Sequence, residues 1–208
     1  MVKFCRENPV RDASGVSHSG LLSLEDLGSY EARVEELLCT SYRGFTVYKC
    51  NSWTQGPVLL QTLNLSENFD LASMDHNSAD YIHTVTECMK LAYADVVPGL
   101  GFPLEARGQM FSLVRGHPNC LEPGKRPRTT LTPSLLSKGG EFFIAFGSPG
   151  GDAQDQWALQ FLLNVVEFGM SLQEAVEAPT FWTRHFPSSF YPRNAASPRL
   201  DPAYAGGW

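Results

Sequence analysis

The sequence predicts a mixed fold, α/β in the broad sense and α+β in detail, in which strands and helices share one interior. Three observations carry this. GFTVYKC (44–50), TTLTPSLL (129–136) and EFFIAF (141–146) have strand texture; VLLQTLNL (58–65) and HNSADYIHTVTECMKLAYAD (76–95) read as helices; and AQDQWALQFLLNVVEF (153–168) is apolar around most of its circumference. A helix apolar all round has no face to give to solvent, so it belongs between layers.

Taken in chain order, residues 1–20 show no apolar periodicity and are expected to be loose. Ser23 followed by Asp26 is a near capping box that opens a short helix over LEDLGSYEARVEE (24–36), and Arg43-Gly44 then turns the chain into the strand GFTVYKC. Gln55-Gly56-Pro57 opens the next helix, with proline in its first turn, and the helix after it places Ile82, Val85, Met89 and Ala92 on one face. Residues 21–95 form one part. From Val96 the texture changes: VVPGLGFPLEARGQMFSL is rich in glycine and proline with almost no helical period, so a second part runs over 96–192. Within it, Lys138-Gly139-Gly140 sits where a hairpin turn would join the two strands. Asp152 is placed to cap the buried helix, Gly169 to stop it, and Ser171 with Glu174 to cap a last short helix that Pro179 ends. Residues 193–208 are expected to be a loose tail.

Composition excludes several classes. The chain has 208 residues, 43% hydrophobic and 18% charged, which is enough apolar material for a packed core and too much for a disordered chain. Its net charge of −6, without long basic runs, leaves no nucleic-acid footprint. The longest unbroken apolar stretch, Phe142 to Phe146, is far short of the roughly 20 residues that cross a bilayer. The charged opening MVKFCRENPVRDASG lacks the apolar centre of a secretory signal, so a cytoplasmic location is expected. Five scattered cysteines without a Cys-x-x-Cys pair fit reduced thiols, and no metal or other cofactor is expected.

The strongest chemical signal is Gly147-Ser148-Pro149-Gly150-Gly151-Asp152, between a strand and a buried helix. With no side chains at Gly150 and Gly151, a substrate carbonyl could approach the main chain, and amides at a helix start could stabilise an acyl-transfer oxyanion. Taken alone, the segment also reads as a plain strand-to-helix turn that needs glycine for its dihedrals. Lys125-Arg126-Pro127-Arg128-Thr129-Thr130 sets three cations before a hydroxyl pair, either a carboxylate grip or a solvated basic loop. Arg107-Gly108-Gln109 is a further polar spot in an apolar stretch. His83 and Glu87 share a helix face but lack a third ligand, and Ser148 lies in no Gly-x-Ser-x-Gly elbow.

Taken together, LLSLEDLGSYEARVEE, GFTVYKCNSWTQGPVLLQTLNL, HNSADYIHTVTECMKLAYAD, VPGLGFPLEARGQMFSL, GKRPRTTLTPSL and GSPGGDAQDQWALQFLLNVVEFGM resemble the γ-glutamyltransferase (glutathione hydrolase) family over roughly residues 21–192. The resemblance implies an α-β-β-α sandwich of the N-terminal-nucleophile hydrolase type. It also implies a precursor that cuts itself into large and small subunits, and an amino-terminal Thr that attacks a γ-glutamyl amide without a cofactor. By this likeness Gly150 and Gly151 match the oxyanion-hole glycines, and Thr129 and Thr130 match the hydroxyl pair that contacts the substrate. Arg107 and Gln109 stand where better-known members carry acidic residues for the substrate's α-amino group, so other acyl amides could serve as donors. Residues 21–95 match the end of the large subunit and 96–192 the later small subunit. The segment bearing the nucleophile is absent between them, as is the front of the large subunit. The expectation is an incomplete sandwich, inactive alone, whose ligand is a small γ-glutamyl compound. A non-catalytic module that keeps the acyl pocket, or pairs with itself or a related subunit, is the alternative.

Overall fold

The computed structural model describes residues 2–11, 14–95, 111–112, 114–117, 120–125, 129–185, 188–189 and 197–202. They fall into two compact units, Met1–Glu35 and Glu36–Trp208, so the part expected over 21–95 is shared between them. The first unit contains helix α1 (Val2–Glu7), the two-residue strands β1 (Val10–Arg11) and β2 (Ser17–His18), paired antiparallel, and helix α2 (Leu24–Ser29). The segment expected to be loose thus carries short regular structure, although neither helix buries a residue. Ser23 and Asp26 complete the capping box, the Ser23 amide donating to Asp26 Oδ2 at 2.7 Å and the Asp26 amide to Ser23 Oγ at 3.0 Å. The helix stops at Ser29 rather than running to Glu36, because Gly28 weakens it and Leu24, Leu27, Tyr30 and Val34 are all exposed. Without a buried stripe, one cap does not hold three turns.

The second unit is built on a four-stranded antiparallel sheet in the order β3 (Leu38–Tyr42), β4 (Phe45–Lys49), β5 (Ser134–Lys138), β6 (Glu141–Phe146). Strand β3 was not anticipated from the sequence, although LCTSY alternates outward and inward as a half-buried strand does. Arg43 and Gly44, with φ of 48° and 82°, close the two-residue hairpin from β3 to β4, which needs left-handed backbone at both positions. Gly139 and Gly140 close the β5–β6 hairpin in the same way. Strand β5 starts later than TTLTPSLL suggested, since Pro133 has no amide to give to a ladder.

Helix α3 (Gly56–Ser66) packs on β3, on β4 and on helices α4 (Ala79–Asp95) and α5 (Gln154–Val166). These helices bury Leu59 and Leu63 of α3, Val85, Met89 and Ala92 of α4, and Leu159, Leu162 and Leu163 of α5 against Tyr42, Val47 and Leu136 of the sheet. Ile82 packs at the margin of the same core. At about 1.5–3 kcal/mol for each fully buried aliphatic side chain, this interface dominates the stability of the unit.

Helix α5 lies between layers, as its all-round apolar pattern requires. On its far side runs β7 (Phe181–Arg184), paired with β8 (Ser197–Pro202), which ties down part of the expected loose tail. Two glutamines one turn apart on α5 serve the free edge of β7. Gln160 Oε1 accepts from the Phe181 amide at 2.9 Å and its Nε2 donates to the Phe181 carbonyl at 2.7 Å. Gln156 does the same for Thr183, at 2.8 and 3.1 Å. A helix thereby stands in for a neighbouring strand, which is why two glutamines sit fully buried in an apolar helix. Gly169 stops α5 at φ 63°, and Ser171 and Glu174 form the capping box of helix α6 (Leu172–Glu177).

Candidate functional site

Three chain segments leave the sheet at one end. Lys49 pairs with Ser134, and Ser134 with Phe146, so the chain beyond β4, the chain before β5 and the chain beyond β6 diverge from a single cross-strand row. The segment before β5 carries Thr129 and Thr130; the segment after β6 carries Gly150 and Gly151. Antiparallel topology alone therefore brings together two features 20 residues apart in the chain.

The glycine turn is shaped by its backbone. Gly150 has φ 139° and ψ 11°, outside the regions an L residue adopts, and Gly151 has φ 58°, left-handed backbone that favours glycine. A Cβ on Gly150 would stand 2.3 Å from Trp157 Cζ3, so the ring closes over a position only glycine can occupy. One 3-10 turn, Gly151–Ala153, then leads into α5, whose N-cap is Ala153. Asp152 is therefore not the cap that the sequence suggested. The extra turn carries its carboxylate away from the helix end, where it accepts from Gln55 Nε2 at 2.8 Å and from the Ser189 amide at 2.8 Å. Tyr93 Oη donates to the Asp152 carbonyl at 3.3 Å. Residues from the start of α3, the end of α4 and the segment after β7 thus converge on the turn. The first amides of a helix have no intrahelical acceptor, so this junction has the elements of an anion site.

The hydroxyl pair is tied in from the other side. The Thr129 amide donates to the Trp53 carbonyl at 3.2 Å, Thr129 Oγ1 accepts from the Leu131 amide at 2.9 Å, and Thr130 Oγ1 is 3.5 Å from Gln154 Nε2, just past the glycine turn. Both threonines are buried. Of the three cations before them, Lys125 pairs with Glu122 at 3.1 Å, a local surface pair, while Arg126 and Arg128 lie outside the described residues. Arg107 and Gln109 lie outside them as well. His83 is exposed and Glu87 pairs with Lys90 at 2.7 Å, which lowers its carboxyl pKa; among the described residues no group of His, Cys, Asp and Glu could hold a metal ion. No helix of the described residues is long and apolar enough to cross a membrane.

Sequence reasoning missed the ionic group beneath these segments. Lys49 Nζ, in a side chain fully closed to solvent, lies 2.9 Å from Asp155 Oδ1 in the first turn of α5 and donates to the Thr132 carbonyl and to Ser134 Oγ, each at 2.8 Å. Thr132 Oγ1 donates to the same Asp155 oxygen at 2.7 Å, and Asp155 Oδ2 is buried without a partner among the described residues. The signal was present: in the alternation of β4, Lys49 occupies an inward position with Phe45 and Val47, and a lysine there demands a buried anion.

Comparison with known proteins gives this geometry its context. The family model described as gamma-glutamyltranspeptidase matches residues 10–97 and, in a second stretch, 95–197. The chain is 24% identical to a glutathione hydrolase-like proenzyme, YwrD, of Bacillus subtilis over 81% of this chain and 46% of the relative. It is 23% identical to the glutathione hydrolase proenzyme of Escherichia coli over 87% of this chain and 47% of that one. Among solved structures, LmbA2991HD superposes with a TM-score of 0.75 at 31% identity over 95% of this chain and 50% of the other. A cephalosporin acylase from Bacillus halodurans superposes with 0.68 at 26% identity, over 79% and 44%. The chain spans about half the length of the curated relatives it matches. Its helices and sheet are those of the N-terminal-nucleophile hydrolase fold. With the fold, the order of the segments and a family match that runs from residue 10 to 197 in agreement, this chain belongs to the gamma-glutamyltranspeptidase family.

Proposed function

We propose that this chain is a gamma-glutamyltranspeptidase-family acyl-transfer scaffold that has lost the segment bearing the nucleophile, keeps the acyl-binding end of the site and is inactive alone. The observation that carries this is the break at residues 95–97, where the two matched stretches of the family model meet. The alignment with the YwrD proenzyme runs over 243 positions although 81% of 208 residues, about 168, take part, so about 75 positions of alignment lack a residue of this chain. The alignment with the Escherichia coli proenzyme behaves likewise, with 274 positions for 87% of the chain, about 181 residues, so about 93 positions lack a residue of this chain. By the family resemblance, the amino-terminal Thr and the amine that serves as its base belong to the absent stretch.

On this reading Gly150 and Gly151 offer backbone amides to the acyl oxygen, and Thr129 and Thr130 offer hydroxyls to the rest of the acyl group, a small γ-glutamyl compound. By the family resemblance, Arg107 and Gln109 are assigned to substrate binding with them. Preorganised amides stabilise a tetrahedral oxyanion only when something attacks the carbonyl, and no described side chain is assigned that role. What remains is binding plus residual catalysis, on the order of 10³ to 10⁴ over water in dismantled hydrolases. A chromogenic γ-glutamyl amide is therefore expected to be hydrolysed at background. Turnover near the roughly 10 per second of a typical enzyme refutes the proposal.

The structured turn favours a second reading, a binding module, because Asp152 gathers Gln55 and Ser189 around glycines that a degenerate loop would not need to hold. Titration calorimetry with the intact amide, which an inactive chain leaves uncleaved, tests the binding that this reading requires: saturable heat supports the module, and none refutes it.

A further inference from the structure

The two arms of the proposed site lie beyond the ladder that should hold them. Backbone pairing between β5 and β6 ends at Ser134 and Phe146, and Pro133, next in line, has no amide to continue it. Yet Thr129–Thr132 and Gly150–Asp152 must keep a set separation if hydroxyls and amides are to meet one ligand, and small displacements cost such sites dearly.

We infer that Lys49 and Asp155 are positioning residues that set the distance between these arms. Lys49 stands at the last pair of β4, and its ammonium donates to the Thr132 carbonyl and Ser134 Oγ on one arm while pairing with Asp155 on the other. Thr132 Oγ1 closes the triangle onto Asp155 Oδ1. Asp155 is in the first turn of α5, two residues after the 3-10 turn ends, so holding Asp155 holds the glycine junction. The carboxylate also sits at the favourable, positive end of the helix dipole. Lys49 and Asp155 are 1% and 2% exposed. Their burial keeps water from competing for the contacts, and it makes them linkages internal to the fold rather than groups a ligand could touch. A buried ion pair adds little net stability over apolar residues of similar size, but it is directional in a way that apolar packing is not. That directionality is what a site split across two arms beyond the strand ladder requires.

The inference rests on the reading of the two arms as a ligand site, and the test separates the two. The full chain carrying Lys49→Met with Asp155→Leu removes both charges, leaves no buried ion unpaired and should fold. Hydrogen exchange is expected to rise at least about tenfold in peptides covering 129–133 and 150–154, with α4 and α6 unchanged, and calorimetric affinity for glutathione to fall at least about tenfold; a tenfold change corresponds to about 1.4 kcal/mol. A folded double variant with wild-type exchange and affinity overturns the inference. If the double variant does not fold, Thr132→Val, which removes one leg and keeps the ion pair, must raise exchange in the same two peptides; wild-type exchange there overturns it. If glutathione gives no heat with the wild-type chain, the ligand reading fails, and the exchange comparison still decides whether the pair holds the arms.

Discussion

Replacing Gly150 by alanine tests the geometry of the glycine junction at its tightest point. Two costs add. At φ 139° the backbone is outside the regions an L residue adopts, which costs about 1–3 kcal/mol, and the new methyl stands 2.3 Å from Trp157 Cζ3, so the indole must shift. Overpacking of that kind costs a further 1–3 kcal/mol or so, for a total of about 4 kcal/mol against the roughly 5–15 kcal/mol that a whole domain has. Gly140→Ala is the control, because its φ is 85° and nothing lies within 4 Å of the added carbon, so only about 1–2 kcal/mol of backbone strain is expected. Urea unfolding measures both. With a slope of about 2 kcal/mol per molar, the two midpoints should differ by about 1 M. Trp157→Leu should recover part of the Gly150→Ala loss in a double-mutant cycle, since it removes the obstructing ring edge. Equal midpoint losses for Gly150→Ala and Gly140→Ala, or no coupling to Trp157, refute the reasoning.

Gln160→Leu should cost about 2–4 kcal/mol in the same assay, because it leaves the buried amide and carbonyl of Phe181 without partners, whereas Gln173→Leu on exposed α6 should cost under about 0.5 kcal/mol. Burial and the hydrogen bond to Glu167 hold the Tyr42 phenol well above its ordinary pKa, so the folded chain keeps that proton while the unfolded chain releases it near pH ~10. Stability from this group is complete below that pH and is lost as pH rises through the window above it. Melting temperatures at about pH 8 and about pH 11 should therefore diverge less in Tyr42→Phe than in the wild type, and an unchanged divergence counts against the assignment. Tyr81, also pushed up by burial, retains part of the effect. The purified chain should stay one piece of 23.0 kDa, since in this family the nucleophile also makes the processing cut; by intact mass, fragments starting at Thr129 or Thr130 and lost on Thr→Ala substitution at the cut would restore an active hydrolase.

Local chemistry was legible wherever one segment settles its own conformation. The Ser171–Glu174 box, proline in the first turn of α3, Gly169 after α5 and the Gly139–Gly140 hairpin each need only a few neighbouring residues, and each stands where the sequence placed it. The family, too, could be read from ordered motifs, because side-chain identity at turns and helix starts is what close backbone approach constrains. Helix α2 shows the limit. Its capping box is real, but whether a cap propagates depends on a buried face, and every residue of LEDLGSYEARVEE is exposed.

The tertiary structure decided what depends on distant partners. Asp152 looked like a helix cap because its sequence position fits one; Gln55, 97 residues away, and Ser189, 37 away, offer it better donors once the glycines insert a 3-10 turn. Lys49 and Asp155 carry no local pattern that names them as a pair, for the contact depends on β4, β5 and α5 arriving at one point. The sequence by itself determined helices α3 to α6, strands β4 to β6, the two capping boxes and the family, because these follow from short-range sterics and hydrogen bonding. The closeness of hydroxyl pair and glycine turn, and the ion pair between them, came only with the fold, since burying a charge is tolerable only after packing has brought its counter-charge within reach.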